Sequence, residues 1–394
     1  MILTADRVAL PAGLVEPGWV ETSGDRVTGA GGATPPAPAD RHLRGTLVPG
    51  FVDQHCHGGG GAAFTTGDPA EAVTVIATHR AHGTTSLVAS LVTDTEERLT
   101  ALVRALAPLV RSGELAGIHL EGPWLSAAHC GAHDPTLLRA PDLAEVERLL
   151  DAGDGTVRMV TLAPELDHGL DAVALLSARG VIAALGHTDA HFDTSREAIE
   201  AGVTVGTHLF NAMRPVHHRE PGPVFALTDD PRVVVEAISD GVHLHPEVLR
   251  WVAASAPGRF ALVTDAMGAA GSGDGDYVLG PAAVEVRDGV ARLVSNGAIA
   301  GSTLTMDRAV RYAVTVAGVP LAAAVEAATA TPAGVLGLTD VGALVTAPLT
   351  SPHTRCERTP RRASCEASNA MYSSVPPKLP PFSFTCTIEP KASW

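Results

Sequence analysis

VIAALGHTDAHFDTSREAIEAGVTVGTHLFNAM, residues 181–213, holds the fold in miniature. An apolar run, VIAAL, stops at Gly-His-Thr-Asp. An amphipathic segment, FDTSREAIEAG, follows at helical spacing. A second apolar run, VTVG, then stops at Thr-His. Strand, helix and strand in about thirty residues describe two parallel strands joined by a crossover. Such a crossover is right-handed, so both polar stops fall at the same end of the sheet.

The pattern repeats outward in both directions. TSLVASLVT (85–93) leads into EERLTALVRALAPLVR (96–111), and GIHLEG (117–122) into PDLAEVERLLDAG (141–153). VRMVTLAPE (157–165) precedes GLDAVALLSARG (169–180), and VVVEAIS (233–239) precedes HPEVLRWVAAS (245–255). Roughly eight such units predict an α/β fold, a TIM-like (β/α)8 barrel. The barrel is expected over residues 49–335. Residues 1–48 read instead as short strands, MILTADRVAL, GWVETSGDRVTGA and HLRGTLVPG, with a Gly- and Pro-rich loop, GGATPPAPAD, between them. They predict a small β-sandwich domain, toward which residues 336–345 return.

The chain of 394 residues suits a barrel of about 250 plus a small domain. No apolar run approaches the roughly 20 residues of a membrane helix, so no membrane partner is expected. The first residues lack the basic start and apolar core of a secretion signal, and a cytoplasmic location is expected. A net charge of −15 argues against nucleic acid as partner. It leaves room for a small anionic substrate, which one Arg and a few backbone amides can hold locally. The five cysteines form no CxxC pair, so neither a zinc knuckle nor a disulfide framework is expected.

Five polar stops carry the chemistry. They are VDQHCHG (52–58), GIHLEGPWL (117–125), ALGHTD (184–189), GTHLFNAM (206–213) and LVTDAMG (262–268). His55 and His57, two apart on a strand, face the same way and suit one divalent ion. Cys56 between them faces away, as a buried structural thiol. Glu121, His187 and His208 form a Glu/His/His set that holds a metal and leaves a coordination position open. Asn211 follows His208 closely enough for its amide to meet a ligand. Asp265 ends the run FALVTD. It is either a helix cap or a carboxylate that takes a proton from water and passes it to a leaving amine. The set points to a metal-dependent hydrolase. His/Glu/Asp donors accept zinc first, with iron, manganese and cobalt as alternatives, as one or two ions per subunit.

HLEGPWL (119–125), GHT (186–188), THLFNAM (207–213), REPG (219–222), DGVH (240–243), LVTDA (262–266) and AGSTLTM (300–306) together resemble the signature segments of the N-acetylglucosamine-6-phosphate deacetylases, within the amidohydrolase superfamily. The resemblance runs from about residue 45 to 345. It implies hydrolysis of N-acetylglucosamine 6-phosphate to glucosamine 6-phosphate and acetate, in amino-sugar catabolism, by a homodimer. It further implies Glu121, His187 and His208 as the main metal ligands and Asp265 as catalytic acid/base. His133 would polarise the acetyl carbonyl, unless it is a plain loop histidine. Ala132, Asn211, Ala212 and the backbone of Ile299, Ala300 and Gly301 would contact the sugar, and His243 the sugar or the phosphate. Arg219 would take the 6-phosphate across a dimer interface, unless it is an ordinary surface cation. His217, His218, His191 and His245 carry no matching role. Retention of His55 and His57 makes a second ion chemically accessible, since some relatives lack that pair.

Residues 346–394 depart from this pattern. They are rich in Pro, Ser, Thr and Arg, lack periodicity, and hold six Lys/Arg against three Asp/Glu. Where the family continues with a Pro-Gly turn and strands, this text resembles read-through in a shifted frame. A disordered tail and an incomplete sandwich are expected, with exposed sheet edges. Two other readings stay open here: a different amidohydrolase, acting on a cyclic amide or another N-acyl sugar, and a poorly folded product impaired by its C-terminus.

Overall fold

A computed structural model describes residues 1–24 and 26–344. The expectation of a disordered tail over 346–394 lies outside the described residues.

The first five strands are β1 (Ile2–Leu10), β2 (Gly13–Val15), β3 (Gly18–Ser23), β4 (Arg26–Gly32) and β5 (Arg41–Leu47). β1 pairs antiparallel with β2 and β3 and parallel with β5, and β3 pairs with β4. Alternation turns Leu3, Ala5, Val8, Val20, Val27, Leu43 and Leu47 into one buried cluster. Leu344, from the far end of the described chain, packs into the same cluster.

The next strand, β6 (Phe51–Cys56), opens the barrel, and a two-residue hairpin, β7 (Gly58–Gly59) and β8 (Ala62–Ala63), follows it. The remaining staves are β9 (Thr84–Leu91), β10 (Gly117–Glu121), β11 (Val157–Leu162), β12 (Ile182–Leu185), β13 (Val203–Gly206), β14 (Val234–Ile238) and β15 (Phe260–Val263). The eight run parallel in chain order, β6 to β15. Closure comes from the strand ends: Asp265 N donates to His55 O at 2.9 Å, and Cys56 bridges Ala266. The strands are apolar on both faces because helices cover the outside and packed side chains fill the inside. Among the described residues, no helix is long and apolar enough to cross a membrane.

Helix ends follow their sequence signals. α1 (Pro69–Ala81) starts on an Asp68 cap with Pro in its first turn. α2 (Glu96–Arg111) starts on Thr95, whose hydroxyl accepts from Arg98 N, with Glu96 and Glu97 at the positive end of the helix dipole. α3 (Leu143–Gly153) starts on Asp142. Then come α4 (Gly169–Ala178), α5 (Phe192–Ala201), α6 (Gly222–Asp229) and α7 (Pro246–Ser255).

One element interrupts the expected barrel span. Between β15 and the next helix lies an antiparallel sheet of β16 (Gly275–Leu279), β17 (Ala282–Arg287) and β18 (Val290–Leu293). Its β17–β18 turn is Asp288-Gly289, both at positive φ, within the alternating text VEVRDGVARL. Asp-Gly between alternating apolar residues is a strong short-range hairpin signal. The sheet buries Leu279, Val284, Val286, Ala291 and Leu293 against Val92, Met267 and Ala300, beside the barrel mouth. Helices α8 (Met306–Thr315), α9 (Leu321–Ala327) and α10 (Ala330–Val335) complete the wrap.

Candidate active site

Every polar stop reaches the C-terminal mouth of the barrel. Glu121 is the last residue of β10. His187, His208 and Asp265 each stand two residues beyond a strand, and all three adopt left-handed backbone, with φ of 48°, 26° and 47°. That conformation turns the chain inward at the rim and costs a non-glycine residue roughly 1–3 kcal/mol. Each corner is pinned by a bond from elsewhere. Ser126 N donates to His187 O at 2.9 Å, His208 N to Glu236 Oε2 at 3.2 Å, and Asp265 N to His55 O at 2.9 Å.

The donor atoms converge. Glu121 Oε1 lies 3.2 Å from His187 Nε2 and 3.0 Å from His208 Nε2, and those two nitrogens are 3.1 Å apart. Glu121 Oε2 lies 3.2 Å from His57 Nε2, which is 3.2 Å from His55 Nε2 and 3.1 Å from Asp265 Oδ1. Glu121 therefore stands between two histidine pairs. His55 is fully buried beneath the others, 3.4 Å from Glu121 and 3.6 Å from Asp265.

This donor set fits a divalent cation. His187 donates Nδ1–H to His129 O at 2.9 Å, and His57 donates Nδ1–H to Ser90 O at 3.2 Å. Each neutral ring then presents an Nε2 lone pair. Those lone pairs face carboxylate oxygens and one another at about 3 Å, which is repulsive unless a proton or a cation lies between. Zinc bonds of about 2.0–2.1 Å place tetrahedral donors roughly 3.3 Å apart, close to the spacing found here. Burial pulls His57 down, but Asp265 and Glu121 outweigh it and raise His57 to about 9. Burial likewise pushes Asp265 up, but His55 and His57 hold it well below the usual carboxylate range.

His133 has a different setting. Thr93 N donates to its Nδ1 at 3.2 Å, so the neutral ring carries its proton on Nε2, 3.5 Å from Glu121 Oε2. Burial lowers it to about 4, against the opposing pull of Glu121. The ring is thus a neutral Nε2–H donor aimed into the mouth.

A cavity of about 150 Å³ opens over these groups. Ala132, His133, Asn211, Ala212, His243, Ile299 and Gly301 line it, together with His57, Glu121, His187, His208 and Asp265. His243 donates Nδ1–H to Asp240 Oδ2 at 2.7 Å. Val92 and Leu279 supply an apolar wall. Two expected residues stand apart. Ala300 is buried behind the wall, and Arg219 is exposed outside the cavity, with Nη1 2.7 Å from His218 Nε2. Asp265 caps no helix: it precedes a loop and the added sheet. His245 caps α7, while His191, His217 and His218 are exposed.

Sequence reasoning missed the layer beneath. Glu236 is fully buried on β14, and His119 is fully buried on β10 between Ser90 and Thr161. Their signal was visible: a charged or imidazole side chain inside an apolar run, Glu236 in VVEAI and His119 two residues before Glu121 in GIHLE. Cys56 does face away, its Sγ 3.2 Å from His79 Nε2. With Asp53 these two form another buried group of donor atoms.

The amidohydrolase family profile matches residues 46–346. An N-acetylgalactosamine-6-phosphate deacetylase from Escherichia coli O157:H7 is 36% identical over 83% of this chain and 89% of its own length. An N-acetylglucosamine-6-phosphate deacetylase from Bos taurus is 38% identical over 74% and 75%. A Mycobacterium smegmatis N-acetyl-D-glucosamine-6-phosphate deacetylase, solved as an aspartate-to-alanine mutant with N-acetyl-D-glucosamine 6-phosphate, superposes with a TM-score of 0.85. It is 53% identical, over 87% of this chain and 92% of that one. The chain belongs to the amidohydrolase family, among its N-acetylglucosamine-6-phosphate deacetylases.

Proposed function

We propose that this chain hydrolyses the N-acetyl group of N-acetylglucosamine 6-phosphate, giving glucosamine 6-phosphate and acetate. The observation that carries this is the mouth itself. Two sets of metal-type donors share Glu121, with the Asp265 carboxylate 3.1 Å from His57 Nε2 and the His133 Nε2–H 3.5 Å from Glu121 Oε2. A divalent ion held by Glu121, His187 and His208, with a second at His55 and His57, supplies Lewis acidity and makes water more acidic when bound. Zinc is the first choice, with iron, manganese or cobalt as alternatives.

The chain's own residues supply the remaining steps. Asp265, a carboxylate with Oδ1 3.1 Å from His57 Nε2, takes a proton from the attacking water and delivers it to the departing amine nitrogen. His133 donates Nε2–H to the carbonyl oxygen as negative charge develops there. His243 and Asn211, both on the cavity wall, hold the sugar. Ala212 offers its backbone N–H from a left-handed corner at φ 49°.

Arg219 binds the 6-phosphate of a neighbouring subunit's substrate in a homodimer. Exposed large apolar side chains support that assembly. Phe225 and Trp251, whose ring centres are 6.0 Å apart, are both exposed, as are Val216 and Val242.

The test is acetate release from N-acetylglucosamine 6-phosphate, its 4-epimer N-acetylgalactosamine 6-phosphate and unphosphorylated N-acetylglucosamine, on metal-replete and chelated protein. Release from the first, dependent on metal and phosphate, is expected. Equal or better release from the 4-epimer would reassign the substrate, and no release from any would overturn the reading.

A further inference from the structure

One buried carboxylate touches both halves of the proposed metal centre without being a ligand of either. Glu236 sits on β14 with no exposed surface. Its Oε2 lies 3.1 Å from His55 Nδ1 and 3.2 Å from the backbone N of His208. Its Oε1 accepts from Gln54 Nε2 at 2.8 Å. Both oxygens are thereby engaged by three N–H groups, from β6 on one side and the post-β13 corner on the other. Its own backbone takes part too, since Leu209 N donates to Glu236 O at 2.8 Å.

We propose that Glu236 is the positioning residue that locks the two histidine pairs into one centre. Accepting His55 Nδ1–H leaves the His55 proton on Nδ1 and aims the Nε2 lone pair at the mouth, beside His57 Nε2. Accepting His208 N–H holds the left-handed corner from which the His208 ring reaches Glu121. His208 depends on this more than its neighbour does. Its own Nδ1 is buried with no partner among the described residues, whereas His187 is oriented by the His129 carbonyl. Glu236 does for His55 with a side chain what Ser90 O does for His57 with backbone. Partners of this kind set ring orientation and tautomer, and their loss typically lowers metal affinity or activity about 10–100-fold.

The inference rests on the metal-binding reading above, and the experiment separates the two. Zinc(II) and cobalt(II) are titrated into chelated, full-length wild type, Glu236→Gln, His55→Asn and the double variant. Bound metal is read by elemental analysis after chelator competition. The cobalt absorption spectrum reports coordination, and circular dichroism reports folding. Wild type that takes up neither metal would overturn both readings.

With wild type loaded, Glu236→Gln should hold one ion about 10–100-fold more weakly, with an altered cobalt spectrum. Added to His55→Asn, it should cost less than it does alone, because its contact to His55 is gone while that to His208 N–H remains. Wild-type affinity and spectrum in folded Glu236→Gln would overturn the proposal, as would full additivity in the double variant. Should Glu236→Gln not fold, Gln54→Met carries the test. It removes only the bond to Oε1 and should weaken the same ion several-fold, and an unchanged affinity there would equally overturn it.

Discussion

Two sets of side chains reach one cavity by different backbone routes. His55 near the end of β6 and His57 one residue past it are two apart on extended chain, beside a register irregularity between Asp53 and Cys56, and both rings turn inward. His187, His208 and Asp265 leave left-handed corners two residues past their strands. The first route costs no backbone strain and places side chains only to within the pleat. The second costs roughly 1–3 kcal/mol at each corner and survives only because distant segments pin each one. Strain is therefore concentrated at His187, His208 and Asp265, while Glu121, His55 and His57 reach the same centre without left-handed backbone.

Glu121 is the point where the routes meet, so its loss should be the most damaging change. Glu121→Gln leaves one carbonyl oxygen where two carboxylate oxygens faced five rings. Bound metal and acetate release are expected to disappear together, and His208→Ala should behave the same way. Measured metal content equal to wild type in both would mean that the two routes do not share an ion-binding centre.

Asp265→Asn cuts the corner set differently. The amide keeps the size and the left-handed site but cannot carry a proton. Turnover should fall about 10²–10⁴-fold while substrate binding persists and bound metal is largely retained. Near-normal turnover with metal in place would leave Asp265 as part of the scaffold only.

The relaxed pair should matter less. His55→Ala is expected to lower activity about 10–100-fold, less than His208→Ala, because the Glu121, His187 and His208 donors remain converged without it. Parallel metal analysis and kinetics on the two variants decide this. If His55→Ala were the worse of the two, the hierarchy between routes would be inverted.

Much of this was legible because it is local. Apolar run, polar stop and amphipathic helix recur along the text, and a barrel sends every stop to one mouth. Glu121, His187, His208 and Asp265 could be picked from their positions after strands. Glu236 could not be given a role the same way. VVVEAIS shows an acid in an apolar run, but its partners are Gln54 and His55, about 180 residues away across the barrel interior. His119 is hidden by the same non-locality. The added sheet is another matter. Its Asp-Gly hairpin was plain in VEVRDGVARL, and only the expectation of an uninterrupted barrel over 49–335 obscured it.

Arg219 lies outside both routes, which makes it the smallest of the expected effects and the one with the most distinct signature. It is exposed, pairs with neighbouring His218, and does not line the cavity of its own subunit. Neither the pleat nor the corners depend on it, so Arg219→Ala should leave metal content, melting temperature and kcat unchanged. A phosphate reached from a partner subunit would lose one charge-assisted contact, and KM for the 6-phosphate substrate should rise about tenfold. Activity on unphosphorylated N-acetylglucosamine should not change, since a hydroxyl never used the guanidinium. Steady-state kinetics on both substrates, with sedimentation to fix the oligomeric state, separate the outcomes. An equal loss on both substrates would assign Arg219 to the loop's structure. An unchanged KM in a verified dimer would remove it from phosphate recognition altogether.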